Sequence, residues 1–269
     1  MKSTYGIGFL IFLFCCKYSS SQNNDLSLIN NTSKHQMDTL DVGKNLILKA
    51  KSHLGKPYLS KTLDTKIEES LTVVTHGFDC TTLVETVIAE VLSPENINAH
   101  IQSTRYRQGV INDYASRIHY FTEWIYENQK NGKVKDITSD FECSKKYDYH
   151  IDFMEKNRSK YMQLSSDSIF QKILKMEKMI NNYTWNYIPK LNLNNCKQKI
   201  KDGDIIAITT NIKGLDISHL GFAHWYKNDL HLLHASTDEK KVVISSKSLS
   251  DYLKSNIKQT GIMVVRVLK

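Results

Sequence analysis

Proline and glycine are scarce in this chain: among 269 residues, three prolines and eleven glycines leave no stretch that reads as a long flexible linker. No internal repeat is visible, which argues against solenoid and propeller arrays. No HExxH is present, so the commonest zinc-hydrolase helix is missing. Lysine and arginine outnumber the acids, 36 to 28, for a formal charge of +8. Nowhere do they form a compact cluster with interleaved aromatics, so no nucleic-acid partner is expected. Scattered lysines suit an anionic polymer or lipid surface, and equally a lysine- and asparagine-rich background composition. The length is accommodated by one large domain.

Long apolar runs are lacking too. Met1-Lys2 precedes the stretch Tyr5 to Cys16. A basic start and a run this short read as a secretory signal, not a membrane span. Cleavage after Ser21 makes residues 1–21 the signal, 22–36 a flexible polar tether and 37–269 a single domain. The alternative is lipidation of Cys16 in Leu13-Phe14-Cys15-Cys16, which would anchor the chain to a membrane. Both readings send it to the periplasm or cell envelope, an oxidising compartment. Three cysteines then remain, and pairing Cys143 with Cys196 would leave Cys80 free.

Cys80 is the organising residue. After it, apolar residues fall at Leu83, Val84, Val87, Ile88, Val91 and Leu92, which is helical spacing ended by Ser93-Pro94. Asp79, Thr81 and Thr82 are all good N-caps, and Thr82 with Glu85 fits a capping box. The thiol thus sits at a helix start on the buried side. A helix N-terminus lowers a cysteine pKa from about 8.5, and its N–H groups can receive an oxyanion. A buried cysteine also packs as a small hydrophobe; the histidine context favours chemistry.

The remaining elements divide into a helical half and a strand half. Residues 40–55 read as an amphipathic helix closed by Gly55, and Leu71 to Val74 as a short apolar element. Ile97 to Trp124 reads as mostly helical, with Tyr120, Phe121, Trp124 and Ile125 in the core. Arg117 and His119 are hard to bury without partners and are candidates to face a cleft. Residues 127–200 are polar and mixed, with a helix over 166–179 and an aromatic stretch from Tyr183 to Pro189 that lines a groove or packs under a loop. Strands follow at 205–209, 218–226, 230–236, 242–244 and 262–267, with a short helix at 249–253. This segregation is an α+β class.

A thiol nucleophile needs a base, and histidine is the usual one. With Asn228-Asp229 as a two-residue loop, Ala223 pairs with His234, and His219 lies on the same face as His234. The two are then offset by four residues, about 13 Å at the usual rise, which a bulge or strong twist must close. His231 falls on the opposite face. A zinc site of His219, His224, His231 and His234 is disfavoured by the same alternation.

Gly55-Lys56-Pro57-Tyr58, Phe78-Asp79-Cys80-Thr81-Thr82, Ser218-His219-Leu220-Gly221 and His234-Ala235-Ser236 together resemble the NlpC-like branch of papain-fold cysteine peptidases and amidases. Thr81-Thr82, where that branch commonly has Ser-Gly, together with Arg105 to Gly109 and Ser116 to Tyr120, is similar to its N-acetylmuramoyl-L-alanine amidase-like subfamily. The resemblance spans roughly Leu46 to Val267 and is weakest over 135–200. It implies a papain-like fold, with the cysteine helix packed on an antiparallel sheet that carries the histidines. It also implies Cys80 as nucleophile, His219 as base, His234 as third member and Tyr58 beside the oxyanion or substrate. Arg117 and His119 are further candidates for substrate contact. The expected substrate is a peptidoglycan fragment, cut between N-acetylmuramic acid and L-alanine without cofactor or metal. The alternatives are an endopeptidase cutting between D-glutamate and the diamino acid, and a non-catalytic envelope-binding protein.

Overall fold

Strand β4, Ile205–Thr210, is buried along its whole length, which is why it reads as an unbroken apolar run. The computed structural model describes residues 41–64 and 67–269. The expected signal, tether and lipidated Cys16 lie outside them. Residues 41–269 pack as one unit.

Around β4 lie β1 (Val134–Asp136), β2 (Lys145–Lys146), β3 (Asn186–Pro189), β5 (Ile217–Tyr226), β6 (Asp229–Ser236), β7 (Lys241–Ile244) and β8 (Gln259–Val267). They form one sheet in the order β2-β3-β8-β4-β5-β6-β7, with β1 also on β8 and every strand pair antiparallel. The helices of six or more residues are α1 (Val42–Lys51), α2 (Cys80–Leu92), α3 (Ile97–Arg105), α4 (Phe121–Lys130), α5 (Asp167–Asn181) and α6 (Leu249–Lys254). The protein is therefore α+β, helices packed with an antiparallel sheet. Side chains of β4 alternate between two cores. Ile205 and Ala207 meet Leu46 of α1, Leu83 and Val87 of α2 and Trp124 of α4. Ile206 and Ile208 meet Leu249 and Leu253 of α6. A third cluster gathers Tyr114, Tyr120 and Met154 on Ile173 and Ile180 of α5.

Three expectations change. The chain does not stay helical from Ile97 to Trp124: α3 ends at Arg105, and two short 3-10 turns and extended backbone lead to α4. Leu71 to Val74 forms no regular element. Both departures have one cause. Arg105 donates to Glu85 at 2.6 and 2.9 Å and to the Thr72 carbonyl at 2.6 Å, and the Tyr106 hydroxyl donates to Glu69 at 2.7 Å. Long-range partners thus fix residues 69–76 and unwind the chain after α3. The third change is in the hairpin, whose turn is Lys227-Asn228, both at positive φ, with Tyr226 opposite Asp229. Two successive residues at positive φ are what a type I′ turn requires.

Cys143 and Cys196 form a disulfide, with Cα atoms 6.2 Å apart, and Cys80 is free. The bond ties the segment before β2 to the one before β4, at the edge of the α6 core.

Glu85 and Arg105 are both 3% exposed at the side chain, so removing one leaves an uncompensated buried charge. Glu85→Ala should cost about 3–5 kcal/mol of folding stability in urea titration. A loss under about 1 kcal/mol, the range of exposed pairs, would show that water solvates Arg105.

Candidate active site

The start of α2 is fixed by its cap. Asp79 accepts from the Thr82 N–H at 2.7 Å, and the Thr82 hydroxyl accepts from the Asp79 N–H at 2.9 Å. The capping box is therefore Asp79 with Thr82, not Thr82 with Glu85, because Glu85 is taken by Arg105. Cys80 becomes the first helical residue, half-buried. Gly77 permits this placement: a Cβ there would stand 2.7 Å from the Pro57 carbonyl. Pro57 accepts from Phe78 N–H, and Tyr58 donates to Lys240, so the Tyr58 segment is stitched between the cysteine loop and the start of β7.

His219 and His234 come together. The observed register, continued one pair past Phe222 and Leu233, sets His234 opposite Gly221, two residues from His219 and not four. A Cβ on Gly221 would lie 2.9 Å from the His234 Cβ, so only glycine lets the strands close there. A bulge at Ser218 shifts the β4–β5 register beside His219. The result is a contact of 2.6 Å between His219 Nε2 and His234 Nδ1, the rings edge to face. If Nε2 donates in that contact, Nδ1 of His219 is left as the basic nitrogen and His234 carries its proton on Nε2.

Cys80 and His219 line one cavity of about 200 Å³, together with Thr81, His119, Trp124 and Asp216. It shares Thr81, Glu85, Ile118 and His119 with a neighbouring cavity of about 310 Å³ that continues to Lys61, Asp64 and Arg117. Of the candidates from sequence, His119 lines both cavities; its Nε2 donates to the Tyr114 carbonyl at 2.8 Å. Arg117 lines the outer one but is already paired, to Asp64 at 2.6 Å and Glu69 at 3.4 Å. Tyr58 lies outside both walls; its own burial first, then its nearness to Cys80 and Asp79, push its hydroxyl up to about 12.

The thiol does not have the lowered pKa expected from its helix. Burial, then the Asp79 carboxylate, push Cys80 up to about 12, against the pull of the Thr81 hydroxyl and the Thr81 and Cys80 N–H groups. Burial takes His219 down to about 4, partly opposed by Asp238, and burial with the adjacent His219 takes His234 down to about 3. The resting site thus holds a neutral thiol and neutral imidazoles. Nucleophilic attack from a site in this state would require the thiol proton to pass to the histidine as the sulfur bonds, since no thiolate is stored.

Sequence reasoning missed three residues. Asp216 is buried, accepts from Thr122 and Ile217, and joins the start of α4 to β5 just ahead of His219. Tyr252 sets its ring edge-on to His234, centroids 5.4 Å apart. Asp238, in the turn after β6, acts on both His219 and Tyr252. No spacing in the sequence marks them, since each reaches the site from a different element. Among the described residues, no cluster of His, Cys, Asp or Glu is arranged to hold a metal.

A family model described as AmiA-like, N-acetylmuramoyl-L-alanine amidase-like, matches residues 49–262. Among solved structures the chain is similar to an N-acetylmuramoyl-L-alanine amidase from Bacteroides uniformis, at 39% identity over 85% of this chain and 99% of that one, TM-score 0.80. A Bacteroides fragilis protein with a provisional xylanase name is 36% identical over 81% of this chain and 99% of its own, TM-score 0.76. A Legionella pneumophila protein is 25% identical over 93% and 97%, TM-score 0.68. Comparison with curated proteins finds no match.

The neutral site has two measurable consequences. Alkylation of Cys80 by iodoacetamide in the free protein should rise about tenfold per pH unit from pH 7 to pH 10, because thiolate fraction limits it; a rate already flat at pH 7 would mean a preformed thiolate. Histidine free in the unfolded chain titrates near 6.5, whereas the folded pair resists protonation until about 4 or 3. For this pair the unfolded state therefore binds more protons in between, so the pair's contribution to folding stability is full above pH 6.5 and falls as pH drops toward 4. Substituting Gln at both positions should flatten that slope in urea titrations; an unchanged slope would assign it to other groups.

Proposed function

This chain belongs to the AmiA-like, N-acetylmuramoyl-L-alanine amidase-like family, and from that premise we propose that it hydrolyses the amide between N-acetylmuramic acid and L-alanine in peptidoglycan fragments through a cysteine thioester. The observation that carries this is Cys80 at a helix start sharing one cavity with His219, whose far nitrogen is held by His234. A helix-borne cysteine facing a sheet-borne histidine is also the basis for proposing a papain-like arrangement.

In the proposed reaction Nδ1 of His219 takes the Cys80 proton as sulfur attacks the lactyl carbonyl. Negative charge then develops on the carbonyl oxygen, where the N–H groups at the start of α2 and the Tyr58 hydroxyl are the available donors. The amine of L-alanine cannot leave unprotonated, so the His219 proton goes to it and a thioester remains on Cys80. Water, deprotonated by the same nitrogen, attacks the thioester, releases the muramic carboxylate and restores the thiol. Glycoside cleavage, suggested by the Bacteroides fragilis protein's name, requires a pair of carboxyl groups free to act as acid and base or nucleophile. Here Asp79 and Asp216 cap helices while Glu85 and Asp64 pair with arginines, which favours the cysteine chemistry.

The outer cavity has a place for the carboxylates of a stem peptide. Asp64 is 44% exposed at the side chain, so a substrate carboxylate can exchange with it on the Arg117 guanidinium. The chemistry belongs in an exported compartment, as the Tyr5 to Cys16 run and the Cys143–Cys196 disulfide support.

Digestion of purified disaccharide-peptides, read by mass spectrometry, should yield free disaccharide and an intact peptide beginning with L-alanine. Release of L-alanyl-D-glutamate would make the protein an endopeptidase, and no product at all would leave a binding role. Cys80→Ser should abolish turnover; full activity in that variant would end the thioester mechanism.

A further inference from the structure

Three turns with the same composition meet at one end of the sheet. Lys190-Leu191-Asn192 follows β3, Asn211-Ile212-Lys213 follows β4, and Asn256-Ile257-Lys258 precedes β8. Each sets an apolar residue between an asparagine and a lysine. They are knitted by Lys190 N–H to the Thr260 carbonyl at 2.9 Å, Asn211 N–H to the Lys258 carbonyl at 3.0 Å and Lys190 Nζ to the Asn256 carbonyl at 3.2 Å. Two of the three apolar tips project outward, Leu191 at 78% and Ile257 at 85% exposed, among the most exposed large apolar residues described, while Ile212 is half-buried. Lys213 and Lys258 stand exposed around them, and Lys254, also exposed, pairs with Asp251 at 3.5 Å. No acidic residue occurs in 189–192, 211–214 or 254–260.

We infer that this rim docks on an anionic lipid surface. Apolar tips alone would suit many partners, and lysines alone any polyanion. The combination suits a bilayer interface, where Leu191 and Ile257 reach the acyl boundary and the lysines stay at the headgroups. An anionic glycan would leave the two apolar side chains in water. Among the described residues no helix is long and apolar enough to cross a membrane, so the contact is with the surface. The rim also lies near the candidate site. Thr210 pairs with Gln259, and two residues back along β4 Ile208 pairs with His219, a separation of about 7 Å at the usual rise. Docking there would hold the cavity mouth close to the membrane. The inference does not depend on the reaction proposed above.

The test compares three full-length proteins: wild type, Leu191→Ser/Ile257→Ser and Lys213→Gln/Lys258→Gln. All carry the same N-terminal segment, so its contribution cancels. Sedimentation with vesicles of phosphatidylcholine, alone or mixed with phosphatidylglycerol, measures binding. The wild type should prefer the mixed vesicles. The lysine variant should bind them roughly thirtyfold more weakly, at about fivefold per charge, and the apolar variant about tenfold more weakly. Hydrogen exchange of the wild type should show vesicle protection at 190–192, 211–213 and 255–258, a readout that needs no variant. Equal binding by all three proteins, no preference for the anionic vesicles, or protection confined elsewhere would overturn the inference.

Discussion

The Asp79 carboxylate resting on the Thr82 amide is the contact on which the site depends. It sets where α2 begins, and so which residue becomes the first of the helix. One turn later Glu85 leaves the same helix to meet Arg105, which in turn holds the Thr72 carbonyl. The adjacent Tyr106 and the later Arg117 hold Glu69. A short cap therefore propagates through buried charges into the wall of the outer cavity. The irregular stretch between α3 and α4 is the price of that wiring, because backbone that serves distant carboxylates cannot remain helical.

The same carboxylate opposes the effect usually expected of a helix start. A helix N-terminus contributes about 0.3–1 kcal/mol to a nearby anion, while stripping water from a charge costs several. Burial therefore wins at Cys80, and Asp79 adds to it. The histidine pair is buried in the same sense, toward neutrality. A site built this way protects its sulfur from adventitious oxidants and alkylating agents while empty, since those react with the thiolate.

Strands β4 to β8 were legible because apolar alternation and turn residues agree with each other there. That Cys80 begins a helix and that His219 and His234 share a face is legible from motif and alternation, and the disulfide from the odd cysteine. The hairpin was misread by one residue because Asn228-Asp229 looks like a turn centre, whereas the chain places Lys227 at positive φ. Strands β1 to β3 were missed because pairs of two to four residues carry no period. The thiol's proton affinity is not legible in the sequence because it follows first from burial, which exists only in the folded chain, and then from Asp79 acting as a charge as well as a cap. Asp216, Tyr252 and Asp238 were invisible because their roles exist only after the sheet has assembled.

The exposed tip at Lys227-Asn228 has a consequence for anyone who alters this protein. It lies far along the hairpin from His219, yet together with Gly221 and the Ser218 bulge it sets the register that brings His234 within 2.6 Å. One inserted residue would slide β6 by about 3.4 Å and turn its side chains over. Loop tips are ordinarily the safest places for affinity tags, epitope grafts and circular permutation. In this molecule that tip is a calibrated spacer, and grafts are better directed to turns that do not gauge the histidine pair.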